Sequence, residues 1–244
     1  MVEIVFVHGV LVRDGAWWWS RVADVVRSST GVESRSVLLP SCGEGAGAGG
    51  TAADHLAGLS LADDAAALHR ALDGVESAIV VGHSYGGTVI AEGAEHPAVR
   101  HLVYISSYLP GVGESQAHIM RDEPNPVSIA LDPPGVLRVD GYDAASFGAR
   151  FWADLEDEDA RAAAYARLAP QSAAAFGAAT TRAAWQGRES TYLVCADDRS
   201  TSFALQRTHA ARATHSIDLP TGHHPFLSRP DLVARELEAV IRQG

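Results

Sequence analysis

The chain contains no lysine: all 19 of its basic residues are arginine. Schiff-base chemistry and lysine-based catalysis are therefore excluded. Positive charge is scarce altogether. A net charge of −11 over 244 residues argues against a nucleic acid or an anionic membrane as partner, since both want basic patches. Cysteine is nearly absent too. Cys42, in a glycine-rich stretch, and Cys195, in an apolar run, are too few for a disulfide framework, and read as thiols packed like small hydrophobes. No apolar run approaches the ~20 residues of a membrane span, and the chain enters a strand at Ile4 with no charged leader or apolar leader segment before it. A cytoplasmic location is the expectation. Signatures of bound metals and dinucleotides are also missing: there is no H-E-x-x-H, no C-x-x-C, and no G-x-G-x-x-G after a strand. The expectation is no metal, no cofactor and a small-molecule substrate, with a homodimer left open.

What the chain does have is an ample hydrophobic fraction, 47%, and an alternating pattern. Short β-branched runs at Glu3–Val7, Ser34–Leu38, Ala78–Val81, His101–Ile105, Thr191–Cys195 and His215–Leu219 read as strands. Between them lie helical patterns at Ala16–Ser28, from the Ser60-Leu61-Ala62-Asp63 capping box to about Leu72, at Tyr85–Glu95, Phe203–Ala213 and Asp231–Arg242. Continuous apolar strands separated by helices predict a doubly wound, mostly parallel α/β sheet of about six strands with both faces covered. Two stretches break the pattern. Gly43–Gly58 reads as a mobile loop. Residues from 110 to 185 show proline-rich turns, helical pieces such as Asp157–Leu168, and no convincing strand. The predicted organisation is a core of residues 1–109 and 186–244 with a helical cap, 110–185, inserted.

The most telling residues are Gly82-His83-Ser84-Tyr85-Gly86, a G-x-S-x-G between a strand and a helix. This is the pattern of a nucleophile elbow, where a sharp strand-to-helix turn exposes a serine and glycines relieve the crowding. A serine nucleophile needs a base, an acid to orient the base, and oxyanion donors. His223, in Leu219-Pro220-Thr221-Gly222-His223-His224-Pro225-Phe226, is the preferred base; His224 fits a packing or locally hydrogen-bonded role. Asp198 is the preferred acid, with Asp197 beside it better suited to a turn or a helix cap. The amides of Val10, after His8-Gly9, and of Tyr85 are the candidate oxyanion donors. His8 reads as a prop for its loop and His83 as packed. Trp17-Trp18-Trp19 opens a helix, so its members point in different directions, mostly into packing. Trp152 and Trp185 of the cap, and His224 beside the preferred base, are candidate substrate contacts; the cap's apolar residues, Ile119, Val127, Ile129, Leu131, Phe147, Phe151, Trp152, Phe176 and Trp185, say that the substrate is largely apolar.

With the elbow, His8-Gly9, Asp198 and Gly222-His223 in this order, the chain resembles the α/β-hydrolase superfamily along its whole length. It is most similar to small carboxylesterases of the methylesterase and hydroxynitrile lyase group. The likeness is carried by Val7-His8-Gly9 through Gly15-Ala16-Trp17, by Gly82 to Gly87, and by Gly222 to Pro230. It implies catalytic roles for Ser84, Asp198 and His223, with oxyanion amides at Val10 and Tyr85. Departures narrow it. Dehalogenases and epoxide hydrolases carry aspartate where this chain has Ser84. Plant hydroxynitrile lyases carry lysine and threonine where it has His224 and Gly9. The expected activity is hydrolysis of a carboxylic ester, lactone or thioester through an acyl-enzyme. A C–C bond cleavage, lyase or cyclase reaction of secondary metabolism by the same triad is the alternative, and a ligand-binding pseudo-hydrolase the third.

Overall fold

A computed structural model describes residues 1–44, 52–121 and 123–243. In chain order its strands are β1 (Val2–Val7), β2 (Ser34–Ser36), β3 (Ser77–His83), β4 (Val99–Ile105), β5 (Ile129–Leu131), β6 (Val136–Val139), β7 (Gln171–Ser172), β8 (Ser190–Cys195) and β9 (His215–Leu219). Its helices are α1 (Gly15–Thr30), α2 (Ala52–Ala57), α3 (Leu61–Leu72), α4 (Gly86–Gly93), α5 (Gln116–Met120), α6 (Ala144–Phe151), α7 (Glu158–Tyr165), α8 (Ala173–Gly177), α9 (Phe203–Ala210), α10 (Pro225–Ser228) and α11 (Pro230–Arg242).

Six strands form one parallel sheet in the order β2-β1-β3-β4-β8-β9. Successive side chains of a strand point to opposite faces, and both faces are buried. Ile4, Phe6, Ile79, Val81 and Val103 pack under α1 and α11, whereas Val5, Val7, Val80, Leu102 and Tyr104 pack under α3 and α4. This is why the central strands β1, β3, β4 and β8 read as mostly apolar runs, whereas the edge strands β2 and β9 stay largely polar and exposed. The chain leaves β1 for the edge strand β2 and returns to β3 on the other side of β1. The carboxyl ends of β1 and β3 therefore meet at a topological switch point, where open α/β sheets form their crevice.

The tryptophan triplet diverges as helical spacing requires. Trp19 stacks on Phe6 with ring centroids 4.5 Å apart and also meets Phe226. Trp18 turns toward Trp152 and His224. Trp17 stays half-buried beneath the Arg167 guanidinium, 4.2 Å from the ring.

Two expectations need correction. Residues between β4 and β8 hold not only helices but a three-stranded antiparallel sheet, β5-β6-β7. Its strands are two to four residues long, too short for a periodic signal, and the hairpin between the first two is turned by Pro133-Pro134-Gly135 with Gly135 at φ 83°. The glycine-rich stretch read as a loop from Gly43 to Gly58 contains helix α2, anchored by the buried Leu56; its residues 45–51 lie outside the described ones. Among the described residues no helix is long and apolar enough to cross a membrane.

Replacing Trp19 by alanine removes a fully buried indole wedged between Phe6 and Phe226. The expected cost is about 3–5 kcal/mol, measured as a loss of unfolding free energy in urea at an unchanged slope.

Candidate active site

Ser84 follows β3 with φ 50°, the left-handed region that an L-residue enters at a cost of roughly 1–2 kcal/mol. The glycines around it make room for this turn. A Cβ on Gly82 would lie 2.5 Å from Ile90 Cδ1, one on Gly86 2.4 Å from the Val7 carbonyl, and one on Gly87 2.2 Å from the Tyr108 carbonyl. The space left at Gly87 is used by Ser107, whose hydroxyl donates to the Ser84 carbonyl at 2.7 Å.

The loops after β8 and β9 bring Asp198 to His223. The imidazole Nδ1–H donates to Asp198 Oδ2 at 2.7 Å. The other carboxylate oxygen accepts from the amides of Ser200 (2.6 Å) and Thr201 (3.0 Å). Ser106, itself at φ 41°, also donates its hydroxyl to Oδ2. Burial alone would raise the Asp198 carboxyl. The charge and hydrogen bond of His223, with the donors Ser106 and Ser200, outweigh burial and hold it below its ordinary value. Asp197 points to solvent, and its amide is tied to the Thr221 carbonyl.

Ser84, His223 and His224 face one cavity together with Gly9 and Val10. Val127, Ile129, Phe147, Phe151, Trp152 and Phe176 supply its apolar wall. No Asp, Glu or Arg lines it among the described residues. The amides of Val10 and Tyr85 donate to no protein acceptor among the described residues. Of the candidate contacts, Trp152 and His224 reach the cavity. Trp185 does not: its indole N–H donates to the Pro110 carbonyl at 2.8 Å, and its ring packs with the core beneath α3 and α4, away from the cavity. Ile119 and Leu131 are not part of the wall either, Leu131 being exposed.

The loop after β1 is held by groups that carry no motif. Both nitrogens of His8 donate, Nδ1 to the Gly9 carbonyl at 2.9 Å and Nε2 to Glu44 at 2.6 Å, which requires the imidazolium. Burial alone would lower the His8 pKa, but Glu44 raises it above the ordinary histidine value. Glu44 also accepts from the amides of Asp14 and Leu39. Leu11, at φ 59°, donates its amide to Gln171 Oε1 at 2.9 Å, and its carbonyl accepts from Ala169. The His223 loop is held in a similar way. Asp154 accepts from the Gly222 amide (2.8 Å) and Ser228 hydroxyl (2.7 Å), and the Phe151 carbonyl accepts from His224 Nδ1 (3.1 Å). A Cβ on Gly222 would lie 2.6 Å from Asp154. The single sequence-level hint of this contact is the glycine before His223.

A family model of the Alpha/beta hydrolase family matches residues 4–236. The chain belongs to this family. It is 27% identical over 187 residues to a probable hydrolase of Phoma sp., covering 70% of this chain and 75% of that one. Its fold matches that of a pyrethroid hydrolase from Sphingobium faniae JZ-2 with a TM-score of 0.78 at 23% identity, covering 98% and 97% of the two chains. Polyneuridine aldehyde esterase matches with a TM-score of 0.75 at 17% identity, covering 98% and 99%.

The His8–Glu44 pair gives this α/β-hydrolase a pH signature. A raised folded pKa means that the contribution of His8 is complete below its unfolded value of about 6.5 and is lost as pH rises through the folded value. Glu44 is lowered despite its burial, through His8, so its contribution is complete above about pH 4.3 and is lost as pH falls. Glu44→Gln is expected to destabilise by about 1–3 kcal/mol between these limits. Thermal unfolding across pH 5 to 9 should show the gap from wild type narrowing on the alkaline side.

Proposed function

We propose that this protein is a serine hydrolase of uncharged, largely apolar carboxylic esters, thioesters or lactones, working through an acyl-enzyme. The observation that carries the reading is the strained Ser84 sharing a cavity with His223, whose far nitrogen is tied to Asp198.

Because Nδ1 of His223 donates to Asp198, Nε2 holds a lone pair and serves as the base. Ser84 Oγ attacks the substrate carbonyl carbon while its proton passes to Nε2. The negative charge that develops on the carbonyl oxygen is met by the amides of Val10 and Tyr85, each donor contributing on the order of 3–4 kcal/mol to the barrier. Asp198 stabilises the imidazolium. His223 then protonates the leaving alkoxide or thiolate, leaving the acyl group on Ser84. Water enters and its oxygen bonds to the acyl carbon as His223 takes its proton; His223 then gives that proton to Ser84 Oγ as the Oγ–acyl bond breaks, and the acid departs.

The wall gives the substrate its class. A carboxylate or ammonium buried there would meet no opposite charge among the described lining residues, and an unpaired buried charge is costly. The esters accepted are therefore uncharged on the parts that enter. Trp152 and His224 are proposed as contacts with the substrate's body, His224 as an acceptor through Nε2 because its Nδ1 donates to Phe151.

Ser84→Ala is expected to lower kcat for short p-nitrophenyl esters by roughly 10⁴-fold or more, with an unchanged circular dichroism spectrum and no loss of melting temperature. Undiminished turnover would exclude Ser84 as the nucleophile.

A further inference from the structure

Three imidazoles stand together at the cavity, more than the proposed chemistry uses. His83 closes β3, and His223 and His224 follow β9. Their ring centroids form a nearly equilateral triangle, 4.5 Å from His83 to His223, 4.6 Å from His83 to His224 and 4.8 Å from His223 to His224. One ring nitrogen of each lies within 4.8 Å of those of the other two.

The hydrogen bonds fix what these rings present. His223 Nδ1–H donates to Asp198, His224 Nδ1–H to the Phe151 carbonyl, and His83 Nε2–H to the His223 carbonyl at 2.9 Å. A carbonyl or carboxylate only accepts, so each neutral ring keeps a lone pair on its other nitrogen: Nε2 of His223, Nε2 of His224 and Nδ1 of His83. None of these three nitrogens is sealed off without a partner, and all three residues line the same cavity. A ring N–H anchored on a carboxylate or carbonyl, with the opposite nitrogen free, is how proteins orient a histidine toward a metal.

We infer that His83, His223 and His224 form a binding site for one borderline divalent cation such as Zn²⁺. An all-imidazole donor set favours Zn²⁺, Cu²⁺ or Ni²⁺ over Mg²⁺ and Ca²⁺. Tetrahedral Zn–N bonds of about 2.0–2.1 Å put ligand nitrogens about 3.4 Å apart, so the side chains rotate inward to close the site. The ion takes the lone pair of His223 that the proposed hydrolysis needs, so occupancy inhibits. Inhibition rests on the proposed function; binding does not.

A competing cluster exists on the surface, where His69 and His96 flank Asp73 at 3.9 and 3.8 Å. There His96 Nδ1 accepts the Ala98 amide at 3.1 Å, which places the ring proton on Nε2, the nitrogen facing Asp73. Metal binding through Nε2 would have to displace that proton and break the bond to Ala98.

The test is calorimetric titration of the full chain with Zn²⁺ at neutral pH. Wild type, His224→Phe, His83→Gln and, as a control for the surface cluster, His96→Ala would be compared, each checked for folding by its melting curve. The expected result is one Zn²⁺ per chain, weakened at least tenfold in His224→Phe and unchanged in His96→Ala. Ester hydrolysis should fall in proportion to occupancy and return with a chelator. Absence of binding to folded wild type, or binding that persists in every folded variant of the cavity histidines, would overturn the site. Binding lost in His96→Ala would do the same. A site removed by His224→Phe whose occupancy leaves hydrolysis untouched would uphold the site and count against His223 as the base.

Discussion

Main chain lies directly on main chain at the head of α4, and the rest of the site depends on that approach. Gly86 sits against the carbonyl of Val7, the last residue of β1, and Gly87 against the carbonyl of Tyr108 beyond β4. Side chains at either place would push α4 off the sheet. With α4 seated, Ser84 is forced into the left-handed region, the Tyr85 amide is left without a protein acceptor among the described residues, and Ser107 can bond the Ser84 carbonyl. Neighbouring Ser106 bonds Asp198. One turn after β4 thereby touches both the serine and the carboxylate, so their spacing is set by a single short piece of backbone.

The segment between β4 and β8 does more than wall the cavity. It supplies Asp154 and Phe151, which brace the loop on either side of His223, and Gln171 and Ala169, which hold the loop around Leu11. Each loop that reaches the cavity from β1 or β9 is thus hydrogen-bonded to this segment. The physical consequence is coupling: a change in the cavity wall also loads the loops that carry Val10 and His223. On the proposed function, wall and chemistry are therefore not independent modules.

Much of this was legible in the sequence for identifiable reasons. The central strands β1, β3, β4 and β8 were readable because both of their faces are buried, which makes each a mostly apolar run; the edge strands β2 and β9 are half-exposed or exposed along most of their length. Ser84 was readable because close backbone contact demands glycine at fixed spacing. Asp198 and His223 were readable as polar residues just past strand ends. What escaped were partners set only by tertiary contact. Glu44 meets His8 across 36 residues, Asp154 meets Gly222 across 68, and Gln171 meets Leu11 across 160; none sits in a motif. The strands β5 to β7 are too short to show a period. Trp185 was misplaced because an apolar residue near the end of an insert can face either the cavity or the core, and only packing decides.

The central claim is that Ser84 forms a covalent acyl intermediate, and labelling addresses it most directly. Incubation with a fluorophosphonate, digestion and peptide mass spectrometry should find a single phosphonylated site at Ser84, with labelling blocked in competition with an apolar ester. Label on another residue, or none on folded protein, would contradict the account.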